Sequence, residues 1–173
     1  MTHLAFILAS LLTAAQPSGE IALVRDAQDA APRVCLFNLD SKTLTPVGQE
    51  GVVGVPVWSP DGTQLAFEIE QGEGCAICVA DVNVGTSFII SHQYMSNRYP
   101  RWSPDSASLA YTSGNGQDGK DQRIIVYNMA SGAEEQWGGE ATNLMRPVWM
   151  PSNRLLYALR PGEHVEWGGE SGN

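Results

Sequence analysis

The chain has 173 residues, a formal net charge of −9 at pH 7 and three cysteines. This acidic balance argues against a nucleic-acid-binding protein, because such binding depends on Lys and Arg side chains that neutralise phosphates. Hydrophobic residues make up 43% of the chain, enough for a packed core, and its 18 glycines and 10 prolines predict many turns.

The first 19 residues contain no Asp, Glu, Lys or Arg. Leu4–Ala15 is apolar, too short to span a bilayer as a helix, and resembles the apolar region of a secretory signal peptide. We expect a signal peptide over residues 1–15, a linker over residues 16–19 and no membrane span once the signal is removed. The extreme N-terminus lacks the usual Lys or Arg, so a buried helix or strand of the mature protein is the alternative.

A segment that occurs three times organises the rest of the chain. Its copies are residues 55–68 (VPVWSPDGTQLAFE), 99–112 (YPRWSPDSASLAYT) and 146–159 (RPVWMPSNRLLYAL). Their tryptophans lie 44 and 47 residues apart, a period typical of β-propellers, in which each repeat forms a four-stranded blade. Each copy predicts a hairpin, because apolar strands flank a turn of the Ser-Pro-Asp-Gly kind.

Nine residues are the predicted structural anchors of the repeat. They are Trp58, Pro60, Asp61 and Gly62 in the first copy, Trp102, Pro104 and Asp105 in the second, and Trp149 and Pro151 in the third. The tryptophan can pack between neighbouring blades, while proline, aspartate and glycine form the turn. Ser106 and Asn153 stand where the first copy has its glycine, and Asn153 tolerates the positive φ that such a turn requires.

The strands predicted around these hairpins divide residues 20–173 into four blades. The units are a partial blade over 20–54 with three strands, blades over 55–98 and 99–145, and a partial blade over 146–173 whose third strand is expected at His164–Trp167. The predicted fold class is therefore all-β, a partial β-propeller of about 3.5 four-stranded blades. Because ring closure removes exposed edges, we expect further blades of the same chain, or a partner, to complete it.

The three cysteines do not form a recognisable metal or redox motif. Cys75 and Cys78 have CxxC spacing, but residues i and i+3 of a strand point to opposite faces, and no second pair completes a zinc site. Cys35 and Cys78 align with apolar positions of other blades, which predicts core packing. Cys75 lies at a predicted loop edge and can pair with a cysteine elsewhere, so the sequence leaves the disulfide state of all three open.

No catalytic motif is complete in the sequence. The nearest approach to the G-x-S-x-G turn of α/β-hydrolases is Gly169–Asn173, which lacks the final glycine. Gly114–Asp121 is rich in oxygen ligands but does not match the calcium-loop pattern. We therefore expect no enzyme activity from this chain, no catalytic residues, no cofactor and no metal site.

The WSPDGTQLAFE and WSPDSASLAYTS segments resemble the repeat of TolB-like propellers, which are relatives of the WD-repeat blade. The resemblance covers residues 20–173, although the chain has no room for the N-terminal α/β domain of TolB itself. It implies a periplasmic or secreted, non-catalytic scaffold that binds a protein partner, still unidentified, or another ligand through its loops. The loops expected to do so are Asp26–Arg33, Gln71–Gly74 and Gly114–Gln122.

A second family setting of the same repeat gives the alternative function. Prolyl-oligopeptidase-like serine peptidases carry such a propeller over their active site. The chain is then the N-terminal propeller part of a peptidase whose hydrolase domain is not in this sequence.

Overall fold

The computed structural model describes residues 6–8, 19–27, 30–90, 96–115, 122–137 and 144–159. Every regular element in these ranges is a β-strand, which confirms the predicted all-β class. The strands are β1 (Phe6–Leu8), β2 (Glu20–Ala27), β3 (Ala30–Asn38), β4 (Leu44–Glu50), β5 (Val57–Trp58), β6 (Gln64–Gln71), β7 (Gly74–Asp81), β8 (Ser87–Ile90), β9 (Ser96–Trp102), β10 (Ser108–Gly114), β11 (Arg123–Asn128), β12 (Glu134–Trp137), β13 (Leu144–Trp149) and β14 (Leu155–Leu159). The described ranges contain no candidate for a membrane-spanning helix.

Strands that follow one another in the chain pair antiparallel and form successive sheets. Sheet 1 consists of β1–β4, sheet 2 of β5–β8, sheet 3 of β9–β12 and sheet 4 of β13–β14. Sheets 2 and 3 are also joined by one parallel pairing, between Cys75 and Ser96. This succession is that of propeller blades, and the described sheets do not close into a ring, as expected for a partial propeller.

Sheet 1 has one strand more than the three predicted from residues 20–54. Phe6–Leu8 pairs antiparallel with β2, with Phe6 opposite Arg25 and Leu8 opposite Leu23. A short apolar run has the composition of a strand as well as of a signal peptide, and here it covers an edge of β2. The pairing of Phe6–Leu8 with β2 does not show whether residues 1–15 are removed on export, so the signal peptide over 1–15 stays a prediction. The strand predicted at His164–Trp167 lies outside the described residues.

Each pair of neighbouring sheets shares one hydrophobic core. Core 1, between sheets 1 and 2, contains Val34, Leu36, Leu65, Phe67 and Cys78, among others. Core 2, between sheets 2 and 3, contains Ile77, Val79, Leu109, Tyr111 and Ile125. Core 3, between sheets 3 and 4, contains Ala110, Ile124 and Leu155. The strand period of two explains this division, because alternate residues of one strand face opposite neighbours.

All three cysteines are unpaired and buried. Cys35 and Cys78 occupy core positions, 1% and 0% exposed, as their alignment with apolar residues predicted. The loop-edge position expected for Cys75 is wrong, because Gln71 already pairs with Gly74 and β7 begins before Cys75. Burial raises the pKa of each of the three thiols, which keeps them protonated near neutral pH.

The hairpin turns share a backbone conformation and a hydrogen-bond pattern. Gly62, Ser106 and Asn153 occupy the same turn position with φ of 74°, 61° and 56°. In the first turn the Asp61 carboxylate accepts from the Ser59 hydroxyl at 2.6 Å and from the Thr63 N–H at 3.0 Å. The second turn repeats this, with Asp105 accepting from Ser103 at 2.6 Å and from the Ala107 N–H at 3.0 Å.

These turns predict a loss of stability in acid. Burial opposes the effect at Asp61, but the hydrogen bonds from Ser59 and Thr63 lower the pKa of this carboxyl, and the Ser103 hydroxyl is the main cause of a lowered pKa at Asp105. A carboxyl whose pKa is lower in the folded state stabilises the fold above its unfolded pKa, and that stabilisation is lost as pH falls. We expect the free energy of unfolding in urea to fall less from about pH 5 downwards in an Asp61→Asn/Asp105→Asn double variant than in the wild type. Equal pH dependence of the two proteins would contradict this prediction.

Candidate functional site

The first strands of successive sheets lie side by side and are tied by their tryptophans. β9 contacts both β5 and β13. The indole Nε1 of Trp102 donates to the carbonyl oxygen of Val57 at 3.2 Å, and that of Trp149 donates to the carbonyl oxygen of Arg101 at 3.0 Å. Each tryptophan is thus bonded to the residue that precedes the tryptophan of the previous repeat, which fixes the spacing of neighbouring first strands.

Two of these first strands carry a strained residue at the same repeat position. Val55, Tyr99 and Arg146 each stand three residues before a repeat tryptophan and directly before a proline. Tyr99 has φ 58° and Arg146 has φ 42°, although a side chain and a following proline both disfavour this region. Such a conformation costs on the order of 1–3 kcal/mol and persists where surrounding structure holds it.

A β-bulge accompanies each strained residue. The pairing of β9 with β10 shifts register between Ala110 and Thr112, opposite Tyr99, and the pairing of β13 with β14 shifts between Met145 and Val148, at Arg146. A bulge leaves one residue outside the regular ladder and re-aims its side chain. The two bulges therefore present Tyr99 and Arg146 differently from the other residues of their strands.

A buried carboxylate holds the bulge at Tyr99. Glu68 of β6 is 7% exposed, its Oε1 accepts from the Tyr99 N–H at 2.9 Å, and its Oε2 lies 3.9 Å from Nη1 of Arg98. Gly54 makes room for it, because a Cβ at that position would lie 3.0 Å from Cδ of Glu68. Glu68 thus ties sheet 2 to the strained strand of sheet 3.

Two further arginines lie beside this bulge. The Arg146 guanidinium carbon is 4.8 Å from the centre of the Tyr99 ring, within the range of a cation–π contact. Burial lowers the pKa of the half-buried Arg101, the nearby charge of Arg146 lowers it further, and Glu68 opposes both. Arg101 stays charged, since the ordinary pKa of arginine lies far above neutrality. Arg98 and Arg101 of sheet 3 therefore lie near the Glu68 carboxylate, and Arg146 of sheet 4 lies near Arg101.

Exposed valines occupy equivalent positions in the neighbouring copies of the repeat. Val55 occupies the repeat position of Tyr99 and is 44% exposed, and Val148 follows Arg146 by two residues and is 52% exposed. We call this set the first-strand surface; its residues are Val55, Arg98, Tyr99, Arg101, Arg146 and Val148. It combines positive charge, an aromatic ring and apolar side chains, which are the features of a surface that binds a partner.

The residues predicted as anchors lie at the cores and turns rather than on this surface. Trp58 packs against core 1, Trp102 is 7% exposed in core 2, and Trp149 packs against core 3. The prolines precede the turn residues with positive φ. Gly62 has the positive φ of the first turn. Asp61 accepts hydrogen bonds within the first turn, and Asp105 does so within the second.

The loops predicted to bind are described in part. The loop over Gln71–Gly74 is a tight turn, in which Gln71 pairs with Gly74. The loop predicted over Asp26–Arg33 is wrong, because β2 continues to Ala27, β3 begins at Ala30 and these two residues pair. Residues 28–29 lie outside the description, as do residues 116–121 of Gly114–Gln122. The calcium-like segment Gly114–Asp121 falls mostly in that second gap. In the described ranges no three His, Cys, Asp or Glu side chains are grouped so as to hold a metal ion.

The sequence contained one signal for the first-strand surface that the sequence reasoning missed. All three copies read X-Pro-Z-Trp before the turn, where X is Val55, Tyr99 or Arg146 and Z is Val57, Arg101 or Val148. These positions vary between copies whose prolines and tryptophans do not, although one of them, Val57, packs against core 2.

Comparison with known proteins supports this architecture. The model of the TolB β-propeller domain family matches residues 14–165. Among solved structures, TolB from Acinetobacter baumannii is 16% identical over 93% of this chain, with a TM-score of 0.65. The propeller domain of the Trilobed protease from Pyrococcus furiosus, described as having an open velcro topology, is 18% identical over 100% of the chain, with a TM-score of 0.68. An acylaminoacyl peptidase from Pyrococcus horikoshii is 15% identical over 95%, with a TM-score of 0.68.

The chain is shorter than each of these proteins. It spans 38% of the Acinetobacter TolB chain, 57% of the Pyrococcus furiosus propeller and 29% of the acylaminoacyl peptidase. At such low identities the similarity shows a shared fold, and the activities of these proteins do not transfer with it.

Proposed function

The chain belongs to the TolB β-propeller domain family, and on that premise we propose that it is a non-catalytic, extracytoplasmic module that binds a protein partner through its first-strand surface. One observation carries the proposal. Tyr99 and Arg146, at equivalent positions of successive blades, both hold a conformation that costs stability, and their side chains stack on each other. Strain of this kind concentrates at functional sites.

The first-strand surface is better supported as the binding region than the loops predicted from the sequence. The Gln71–Gly74 loop is a tight turn with little surface to offer. The first-strand surface instead gathers charge, an aromatic ring and exposed valines from three successive sheets. The nine predicted anchors then serve as scaffold, holding neighbouring first strands at a fixed spacing.

The extracytoplasmic and non-catalytic parts of the proposal rest on the sequence. The apolar segment Leu4–Ala15 supports export, and the absence of a complete G-x-S-x-G turn supports a binding role. A robust turnover activity of the purified chain would refute the non-catalytic part.

The alternative is that the chain is the propeller part of a prolyl-oligopeptidase-like peptidase. It is kept because peptidases are among the solved structures that share this fold, and the chain spans 29% of the length of the Pyrococcus horikoshii enzyme. Sequencing the source DNA beyond Asn173 separates the two functions. A hydrolase domain with a G-x-S-x-G turn favours the peptidase, and further repeats followed by a stop codon favour the binding module.

Site-specific photocross-linking in the source cells tests where the partner binds. A benzophenone amino acid replaces Val55 in one variant and Val84, 72% exposed in the turn between β7 and β8, in the control. We expect one discrete cross-linked adduct from position 55 and none from position 84. Equal adducts from both positions, or none from position 55, would refute the first-strand surface as the binding region.

A further inference from the structure

Resting on the proposed function, we propose that the first-strand surface binds an acidic segment of its protein partner, with Arg101 and Arg146 as the pair that binds a carboxylate. The inference starts from the charge distribution. The chain has 19 Asp and Glu against 10 Lys and Arg. Three of those few cations, Arg98, Arg101 and Arg146, nevertheless gather on one surface of an acidic protein.

The described charges on this surface do not balance. Glu68 is the carboxylate that acts on both Arg98 and Arg101, and its Oε1 is occupied by the Tyr99 N–H. β13 packs against β9, with Trp149 bonded to the Arg101 carbonyl oxygen and Arg146 over the Tyr99 ring, which brings two positive charges onto neighbouring strands. Burial lowers the pKa of Arg101, and the nearby charge of Arg146 lowers it further. A carboxylate placed between two guanidinium groups removes this repulsion and accepts charge-assisted hydrogen bonds from both.

Both arginines are held in place before a ligand arrives. The contact with the Tyr99 ring orients the guanidinium of Arg146. The Arg101 guanidinium is half-buried and donates from Nη1 to the carbonyl oxygen of Pro100 at 2.8 Å. This is the one hydrogen bond that its side chain makes with the described residues, and a guanidinium carries several donors in a planar fork. Such preorganisation reduces the entropy lost on binding.

The neighbouring valines favour a peptide over a bare anion. Val55 and Val148 are 44% and 52% exposed and occupy the repeat positions of Tyr99 and Arg101 in the neighbouring copies. A segment with alternating acidic and apolar residues satisfies both chemistries. Nucleic acid is a poor match, because the net charge of −9 opposes a polyanion at longer range.

Fluorescence anisotropy with a defined probe tests the inference. The probe is a labelled, C-terminally amidated peptide, GSVEVEVEGS, and its comparison peptide is GSVQVQVQGS. We expect the wild type to bind the glutamate peptide about tenfold or more tightly than the glutamine peptide, because charge-assisted hydrogen bonds are the stronger ones. We expect an Arg101→Gln/Arg146→Gln variant to lose that preference.

A charge-matched control separates the site from overall charge. Arg25→Gln/Arg154→Gln removes two exposed arginines outside the first-strand surface and is expected to keep the preference. Because Arg101 is half-buried, Arg146→Gln alone serves if the double variant fails to fold. Three results would overturn the inference: equal binding of the two peptides, equal loss in the control, or tighter binding of a heparin fragment than of the glutamate peptide. If the Val55 cross-link forms while the peptide preference is missing, the proposed function stands and this inference fails.

Discussion

Replacing Phe67 by alanine is expected to lower the free energy of unfolding by about 3–5 kcal/mol, the usual loss for a fully buried phenylalanine. Phe67 is 0% exposed and lies in core 1, between sheets 1 and 2. Gly48 of β4 approaches it so closely that a Cβ there would lie 2.6 Å from Cζ of Phe67. Truncation therefore leaves a cavity at a tightly packed contact between two blades.

Urea unfolding measures the effect, with Phe88→Ala as the matched control. Phe88 is 41% exposed and touches the ring of Tyr127 with centroids 6.4 Å apart. We expect the control to cost about 1 kcal/mol or less, since exposed truncations leave no cavity. Equal losses in the two variants would mean that sheets 1 and 2 do not pack as described.

Replacing Trp102 by alanine is the second large expected loss, again about 3–5 kcal/mol. Trp102 is 7% exposed in core 2, and its indole N–H reaches the carbonyl oxygen of Val57 in the neighbouring sheet. The variant loses both the buried ring and the bond between adjacent first strands.

Trp102→Phe separates these two contributions. It keeps an aromatic ring but leaves the Val57 carbonyl oxygen without its indole donor, which costs about 1–3 kcal/mol if that oxygen stays buried. We expect the free energy of unfolding of this variant, measured in urea, to lie between those of the wild type and the alanine variant. A phenylalanine variant as stable as the wild type would show that the indole hydrogen bond does not tie the blades.

Most of the fold could be predicted from the repeated segment. Alternating apolar residues predicted the hairpins, and Asn153 in place of glycine tolerates the positive φ of such a turn, which is 56° in the structure. The hydrogen bonds that Asn153 and Ser106 make to another blade could not be predicted. Nδ2 of Asn153 donates to the Asp105 carboxylate at 2.7 Å, and the Ser106 hydroxyl accepts from the Asp61 N–H at 3.1 Å. Both bonds reach the preceding blade, so they depend on blade packing rather than on local sequence.

The first-strand surface could not be read from the sequence for a related reason. A residue before proline favours extended backbone, so local rules place Tyr99 and Arg146 in regular strands. Their positive φ depends on bulges, and at Tyr99 on Glu68, which lies 31 residues away in the chain. Phe6–Leu8 lies in the run for which a signal peptide was predicted and a buried helix or strand was the alternative, because an apolar run before a linker has the same composition in both cases.

The central claim is that Tyr99 is kept in its strained conformation for binding rather than for folding, and Tyr99→Gly tests it most directly. Glycine relieves the strain and keeps the N–H bonded to Glu68, while it loses the ring contacts and adds chain entropy in the unfolded state. We predict a free energy of unfolding within about 1 kcal/mol of the wild type and loss of the photocross-link from position 55.

Ser106→Gly, which also has positive φ but lies outside the first-strand surface, is the control and keeps the cross-link. A Tyr99→Gly variant that retains the cross-link, or that loses about 3 kcal/mol or more of stability, would contradict the claim.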